Sequence, residues 1–172
     1  MATVVLSLGT NKGDRQHNLI RTVELINQRV GRVLQYSDIY ETEPWGYRDS
    51  QWFLNMAISV DTELDAFELL SVTQEIEKEL GRKAKSINGY QAREMDIDII
   101  FYDQGIIKTE ELSVPHPLMH RRRFVLMPLA DIVPDMVHPL LNQTVRQLLY
   151  ACDDATEVNS YCSFAALYDM KE

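Results

Sequence analysis

Cysteine is scarce in this chain. Cys152 and Cys162 are the only two, both near the C-terminal end, and neither has companions at metal-binding spacing. A disulfide framework and a thiolate metal centre are therefore excluded as organising features, and reduced thiols in a cytoplasmic protein are expected. Long hydrophobic runs are also missing. No apolar stretch approaches the roughly 20 residues of a membrane span, and the opening Met-Ala-Thr-Val-Val-Leu-Ser-Leu carries no basic leader, so neither membrane attachment nor a signal peptide is expected. Positive charge is in deficit, with 17 Lys and Arg against 26 Asp and Glu and a net charge of −9. That balance argues against a general nucleic-acid binder. Repeats and linker-like segments are absent as well. At 172 residues, 45% of them hydrophobic, the chain reads as a single domain over 1–172 with an ample core.

The positive charge that is present is unevenly placed. Arg82, Lys83, Lys85 and Arg93 precede the stretch Glu94-Met95-Asp96-Ile97-Asp98-Ile99-Ile100-Phe101-Tyr102, and Arg121, Arg122 and Arg123 follow it. This stretch, rich in β-branched and aromatic residues, reads as a strand. With a period of two, Asp96 and Asp98 share one face while Met95, Ile97 and Ile99 share the other, and the two aspartate Cα atoms lie roughly 6.5–7 Å apart. Taken alone, an Asp-x-Asp reads first as the polar side of a half-exposed strand. Set among clustered cations, the pair instead suggests a small polyanion held through a hard cation such as Mg²⁺. That ion typically takes one or two protein carboxylates and completes its shell with water and phosphate oxygens.

Around that strand the expected elements fall in order. Residues 3–9 form a buried strand ending at Gly9, and Gly9–Asp14 is a turn. The helix that follows is capped by Asp14 or Asn11 and carries Leu19, Val23, Ile26 and Val30 on one stripe until Gly31 stops it. Residues 32–41 make a second strand, broken by Pro44 and Gly46 in a loop that exposes Trp45 and Tyr47. A third strand, 51–60, puts Phe53 and Asn55 on one face, a ring beside an amide that suits a planar heterocycle. An amphipathic helix over about 65–80 places Gln74 and Glu77 together on one face. Residues 82–92 lack any period and read as a solvated connection or a lid over anions. After the Asp strand come a short strand at 106–107, the rigid Pro115-His116-Pro117 and short helices at 124–132 and 145–151. A weakly patterned acidic tail, 152–172, has no assigned role. His116 and His120 are four apart, but without the intervening Glu of a zinc helix they suit phosphate contact better than zinc. The order strand, helix, strand, strand, helix, strand is the α+β, ferredoxin-like βαββαβ plan, a mostly antiparallel sheet with helices packed on it.

Several stretches together resemble one family: Leu-Ser-Leu-Gly-Thr-Asn-Lys-Gly-Asp, Tyr-Glu-Thr-Glu-Pro-Trp-Gly, Phe-Leu-Asn, Arg-Glu-Met-Asp-Ile-Asp-Ile-Ile, and Val-Pro-His-Pro followed by Arg-Arg-Phe-Val-Leu-Met-Pro-Leu. On these the chain, from about Val4 to Pro139, is similar to 6-hydroxymethyl-7,8-dihydropterin pyrophosphokinase of folate biosynthesis. The resemblance implies Mg-dependent transfer of pyrophosphate from ATP to the pterin hydroxymethyl group, releasing AMP. It implies two Mg²⁺ ions on Asp96 and Asp98, ATP contacts from Gln74, Glu77, Arg93, His116 and Arg122, and catalytic roles for Asp96, Asp98, Arg82 and Arg93. Thr42, Pro44, Trp45, Phe53, Asn55 and Phe124 would form the pterin pocket, and residues 82–92 a mobile catalytic loop. The partners implied are the two small molecules, with no nucleic acid, no membrane and a monomeric state.

This sequence departs from the family pattern before the Asp strand, where Tyr90-Gln91-Ala92-Arg93 replaces Trp-Gly-Pro-Arg. Lys83 or Lys85 stands for a second loop arginine, and Glu111 for an arginine on the ATP side. Lysine gives a point charge without the bidentate fork of arginine. Two other classes compete with the favoured one. A metal-dependent nucleotidyl transferase would release pyrophosphate, and a non-catalytic binding module has no use for a carboxylate pair beside a basic loop.

Overall fold

The computed structural model describes residues 1–43, 51–81 and 94–170. At its centre is β1 (Ala2–Thr10), hydrogen-bonded antiparallel on one side to β4 (Phe53–Thr62) and on the other to β5 (Asp96–Tyr102). Beyond β4 lie β2 (Gly31–Tyr36) and β3 (Ile39–Thr42), which pair with successive parts of that strand, and β8 (Val158–Cys162) adds to β3. The resulting order is β5-β1-β4-β3-β8, with β2 paired to β4. Helices α1 (Arg15–Arg29) and α2 (Ala66–Glu79) complete the expected βαββαβ core. Chain order then adds the hairpin β6 (Ile107–Lys108) and β7 (Ser113–Val114), α3 (Arg123–Ile132), α4 (Val145–Ala151) and α5 (Phe164–Met170). No helix among the described residues is long and apolar enough to cross a membrane.

Strand alternation decides how the layers stack. Val4, Leu6 and Leu8 of β1, Leu54, Met56, Ile58 and Val60 of β4, and Ile97 and Ile99 of β5 turn to one face. There they meet Leu19, Val23 and Ile26 of α1 with Leu69 and Ile76 of α2. Truncating a fully buried leucine such as Leu6 or Leu8 to alanine costs roughly 2–5 kcal/mol in a core of this kind. On the opposite face Val5, Ala57, Ile100 and Phe101 pack under Val125, Leu126 and Leu129 of α3 and Val145 and Leu148 of α4. The β1–β5 register slips between Val5 and Leu6, and this bulge lets the consecutive residues Ile100 and Phe101 both serve the second core. Beyond it the second face changes character. Ser7, Gly9, Asn55, Asp96 and Asp98 replace aliphatic side chains, and that end of the sheet is where a cavity opens.

Local chemistry accounts for the boundaries. Asp14 caps α1 by accepting the His17 amide at 3.0 Å, and Asp65 with Glu68 forms a capping box at α2. Gly31 is not the helix stop expected from sequence. Val30 ends α1, and Gly31 opens β2 where a Cβ would run into the Asp61 carbonyl of the neighbouring strand. The expected strand 32–41 is two strands because Ser37 interrupts it: its hydroxyl accepts the Ala57 amide at 2.9 Å while its own N–H donates to the Ala57 carbonyl at 2.9 Å. The tail is not weakly structured either. Val158–Cys162 becomes a sheet edge, and Phe164 of α5 is 1% exposed against Tyr36, ring centroids 4.9 Å apart. Sequence pattern missed it because β8 buries no face completely and α5 is held by one aromatic.

Candidate active site

Strand register sets the site out in rows. Asp96 lies opposite Gly9, Gly9 opposite Asn55, and Asn55 opposite Tyr40, while Asp98 lies opposite Ser7 and Ser7 opposite Ala57. Residues directly opposite share a face, so both carboxylates and Asn55 look into one space with Gly9 between them. Two strand spacings of about 4.8 Å put Asp96 and Asn55 on the order of 10 Å apart. Gly9, having no side chain, leaves an open floor across that interval. The space is a cavity of about 660 Å³ lined by Ser7, Gly9, Thr42, Glu43, Phe53, Asn55, Asp96, Asp98, Leu118, Arg121, Arg122, Phe124, Asp154 and Thr156. That volume lies in the ordinary range for a small-molecule pocket.

At one end are the rings and the amide. Phe53 begins β4 and Phe124 is the second residue of α3, so two separate elements bring aromatics to the same cavity. Asn55, 4% exposed, donates its amide N–H to the Thr42 hydroxyl at 2.9 Å, which sets the direction in which the amide faces. A Cβ on Gly9 would lie 3.1 Å from Asn55 Oδ1, so glycine is what lets the amide sit there.

At the other end are the charges. Asp96 and Asp98 remain partly exposed on β5 while Ile97 between them is buried. Buried Glu77 of α2 accepts the Ile97 amide at 2.9 Å from the far side of the sheet. The entry to β5 is tied as well: the Thr10 hydroxyl donates to the Glu94 carbonyl, and Asn18 Nδ2 donates to the same carbonyl at 3.1 Å and to the Lys12 carbonyl at 3.0 Å. The carboxylates thus sit on a strand held from behind and at its start. Arg121 and Arg122 face them across the cavity, with the Arg122 guanidinium 5.8 Å from the centre of the Phe124 ring. His116 is held below the ordinary histidine range by burial and then by the Arg122 charge, with Asp96 pulling the other way. Its Nδ1 accepts the Leu118 amide at 3.2 Å, so the neutral ring keeps its proton on Nε2 as a donor.

Of the residues singled out from sequence, Thr42, Phe53, Asn55, Asp96, Asp98, Arg122 and Phe124 line this one cavity. His116 stands next to it, coupled to Arg122 and Asp96. Gln74 and Glu77 do not share a face: Gln74 is exposed on α2, while Glu77 turns into the protein. Their helix packs on the opposite face, near the edge strand β5, so a molecule touching both Gln74 and Asp96 would have to pass around that edge. Pro44, Trp45, Arg82, Lys83, Lys85, Arg93, the Tyr90-Gln91-Ala92 departure and the proposed loop 82–92 lie outside the described residues. Sequence reasoning did not single out Ser7, Gly9, Glu43, Leu118, Arg121, Asp154 or Thr156 as lining residues. Asp154-Ala155-Thr156 did carry a signal, an aspartate two residues before a threonine, which favours a side-chain turn.

A hard divalent cation suits this donor set. Among the described residues no group of three or more His, Cys, Asp or Glu is gathered as a metal cage. A partly exposed pair of carboxylates beside two arginines fits an ion that arrives with water and phosphate oxygens.

The chain matches, over residues 5–134, the family model described as 7,8-dihydro-6-hydroxymethylpterin-pyrophosphokinase. It is 46% identical over 141 residues to 2-amino-4-hydroxy-6-hydroxymethyldihydropteridine pyrophosphokinase of Porphyromonas gingivalis, covering 81% of this chain and 95% of that protein. To the protein of the same description in Bacillus subtilis it is 48% identical over 128 residues, covering 74% of this chain and 75% of the other. The crystal structure of wild-type Plasmodium falciparum HPPK-DHPS with pteroate matches with a TM-score of 0.71 and 19% identity, over 87% of this chain. This chain spans only 42% of that longer one, and the likeness speaks for the fold alone.

Proposed function

Since the chain belongs to the 7,8-dihydro-6-hydroxymethylpterin-pyrophosphokinase family, we propose that the cavity over Gly9 is where it transfers pyrophosphate from ATP to hydroxymethyl-dihydropterin. The observation that carries the assignment is the shared floor: a ring-and-amide subsite at Phe53, Asn55 and Phe124, and a carboxylate pair at Asp96 and Asp98, on either side of a residue without a side chain. A pterin bonded edge-on by Asn55 has about 10 Å in which to direct its hydroxymethyl group over Gly9 towards the aspartates.

In this reading Phe53 and Phe124 hold the pterin flat, and Asn55, oriented by Thr42, reads its hydrogen-bonding edge. Pro44 and Trp45 belong to the same subsite. Arg122 and the Nε2–H of neutral His116 hold phosphate oxygens, with Gln74 and Arg93 as further ATP contacts and Arg82 acting from the loop. Asp96 and Asp98 hold Mg²⁺, two ions in this account, and such ions neutralise charge on the triphosphate when bound. The hydroxymethyl oxygen attacks the β-phosphorus, the bond from that phosphorus to the α,β-bridging oxygen breaks, AMP leaves and the alcohol proton is released. Glu77 acts by holding the Ile97 amide, and so the spacing of its two neighbours, rather than by touching nucleotide. The reading further takes the protein as a cytoplasmic monomer of one domain, with Cys152 and Cys162 as free thiols.

The reaction products test it. With Mg²⁺, ATP and the hydroxymethyl-dihydropterin, AMP should form in step with pyrophosphorylated pterin. Either ADP or free pyrophosphate as the main product would defeat the assignment.

A further inference from the structure

The family match ends at residue 134, yet Asp154 and Thr156 line the cavity. Asp154 connects that late segment to α3. The helix is entered through Arg122, which has no side-chain cap of its own, and the acceptor missing there is supplied from 31 residues further along: Asp154 Oδ2 takes the Arg123 amide at 3.0 Å. Asp154 Oδ1 takes the Thr156 hydroxyl at 2.6 Å and the Thr156 amide at 3.0 Å. The Arg123 side chain returns the contact, its Nε donating to the Asp154 carbonyl at 2.9 Å and its Nη2 to the Cys152 carbonyl at 3.1 Å. Arg123 sits between Arg122 and Phe124, the two residues of this turn that face the cavity. Just past Thr156, Val158 pairs with Thr42, the residue that orients Asn55. At the other end of α3, Asp131 accepts the Tyr40 hydroxyl at 2.7 Å, so the helix is tied at both ends to the strands that carry the pterin-side residues.

We infer that Asp154 is a positioning residue for the pterin subsite, capping α3 so that the ring of Phe124 closes the cavity, with Thr156 fixing the Asp154 carboxylate. Burial alone would raise the Asp154 pKa, but the Thr156 and Arg123 hydrogen bonds and the Arg123 charge outweigh it and hold the carboxyl below the usual range. The group is therefore an anion at neutral pH, the form that serves a helix start best. Phe124 is fixed to the helix backbone, whereas Arg122 has a long side chain able to re-aim. Loss of the cap should therefore weaken pterin more than nucleotide. This inference rests on the functional reading above, which wild-type binding tests by itself; the variant-to-wild-type ratio tests the inference.

The experiment measures dissociation constants for the hydroxymethyl-dihydropterin and for an unreactive ATP analogue, with thermal stability, in wild type, Asp154→Ala, Thr156→Val, Phe124→Leu and the double variant Asp154→Ala with Phe124→Leu. Asp154→Ala should weaken pterin about tenfold and the ATP analogue less than about twofold. Thr156→Val, which keeps shape and loses the hydroxyl, should weaken pterin about two- to threefold. Because Asp154 acts through Phe124, the double variant should bind pterin within about twofold of Phe124→Leu alone. Multiplicative losses in the double variant, equal losses for both ligands, or a lowered melting temperature with unchanged pterin affinity would each overturn the assignment. Should Asp154→Ala fail to fold, Thr156→Val decides alone, and wild-type pterin affinity in that variant refutes it.

Discussion

At Asn55 a single buried amide is asked to do two things: satisfy Thr42 with one N–H and present the rest of its donor and acceptor set to a ligand. Replacing it with alanine removes the ligand contact and leaves the Thr42 hydroxyl short of its donor. Asn55→Ala should therefore weaken pterin binding by roughly 1–3 kcal/mol and leave affinity for an unreactive ATP analogue nearly unchanged. Titrating both ligands against the variant checks this, and equal losses would make Asn55 a structural residue. Gly9→Ala should act in the same direction, because its methyl group would press on Asn55 Oδ1. At this scale the sequence was informative wherever period-two alternation applied. Phe53 with Asn55, and Asp96 with Asp98, were paired correctly from spacing alone. Gly9 was legible only as a strand end, because its part as the floor between two subsites depends on which strands lie beside it.

Between elements, the contact that bears most on the site is Glu77 of α2 to the backbone of β5. Helical spacing grouped Glu77 with Gln74, since residues three apart differ by about 60° around the axis. At the rim of a packed helix that angle separates inside from outside, and here it leaves Gln74 exposed and Glu77 at 3% exposure. Glu77→Ala should leave the Ile97 amide unpaired in a buried position and cost roughly 1–3 kcal/mol of stability. Turnover should fall with it, as the aspartates on either side lose their fixed backbone. Glu77→Gln retains an acceptor of the same reach and should keep most of the stability. Denaturant unfolding of both variants checks the pair, and an alanine variant as stable as wild type would remove the support role. The break at Ser37 and the edge strand β8 escaped sequence reasoning for a related reason. Each is decided by a partner elsewhere in the chain, Ala57 for the first and β3 for the second, and not by local pattern.

For the molecule as a whole, the division of labour lies between the two faces of the sheet. One face is apolar along its length against α1 and α2 and supplies a large continuous core. The other is apolar only under α3 and α4, and its remaining end is given over to the cavity. The βαββαβ plan was readable from the order of periodicities, because each core element carries enough apolar residues to declare its face. Which side of the sheet α3 and α4 cover was not readable, since it depends on the bulge that turns Ile100 and Phe101 the same way. One consequence is that stability and chemistry are carried by separate residues. Asp96 and Asp98 contribute to the second face only where it has ceased to be core.

That separation is the central claim, and Asp98→Asn tests it most directly. The substitution keeps size and strand geometry but replaces an anionic oxygen with an amide, a poor ligand for a hard cation. Removing one of two neighbouring carboxylates relieves repulsion and should not destabilise the metal-free fold. Turnover requires both carboxylates to be placed to within about half an ångström, so it should fall at least about 10²-fold, roughly 2.7 kcal/mol of barrier. The measurement is turnover with Mg²⁺, ATP and pterin beside melting temperature without Mg²⁺, on the same preparation. The account predicts lost turnover at unchanged melting temperature; retained turnover with a lowered melting temperature would make the pair structural and contradict it.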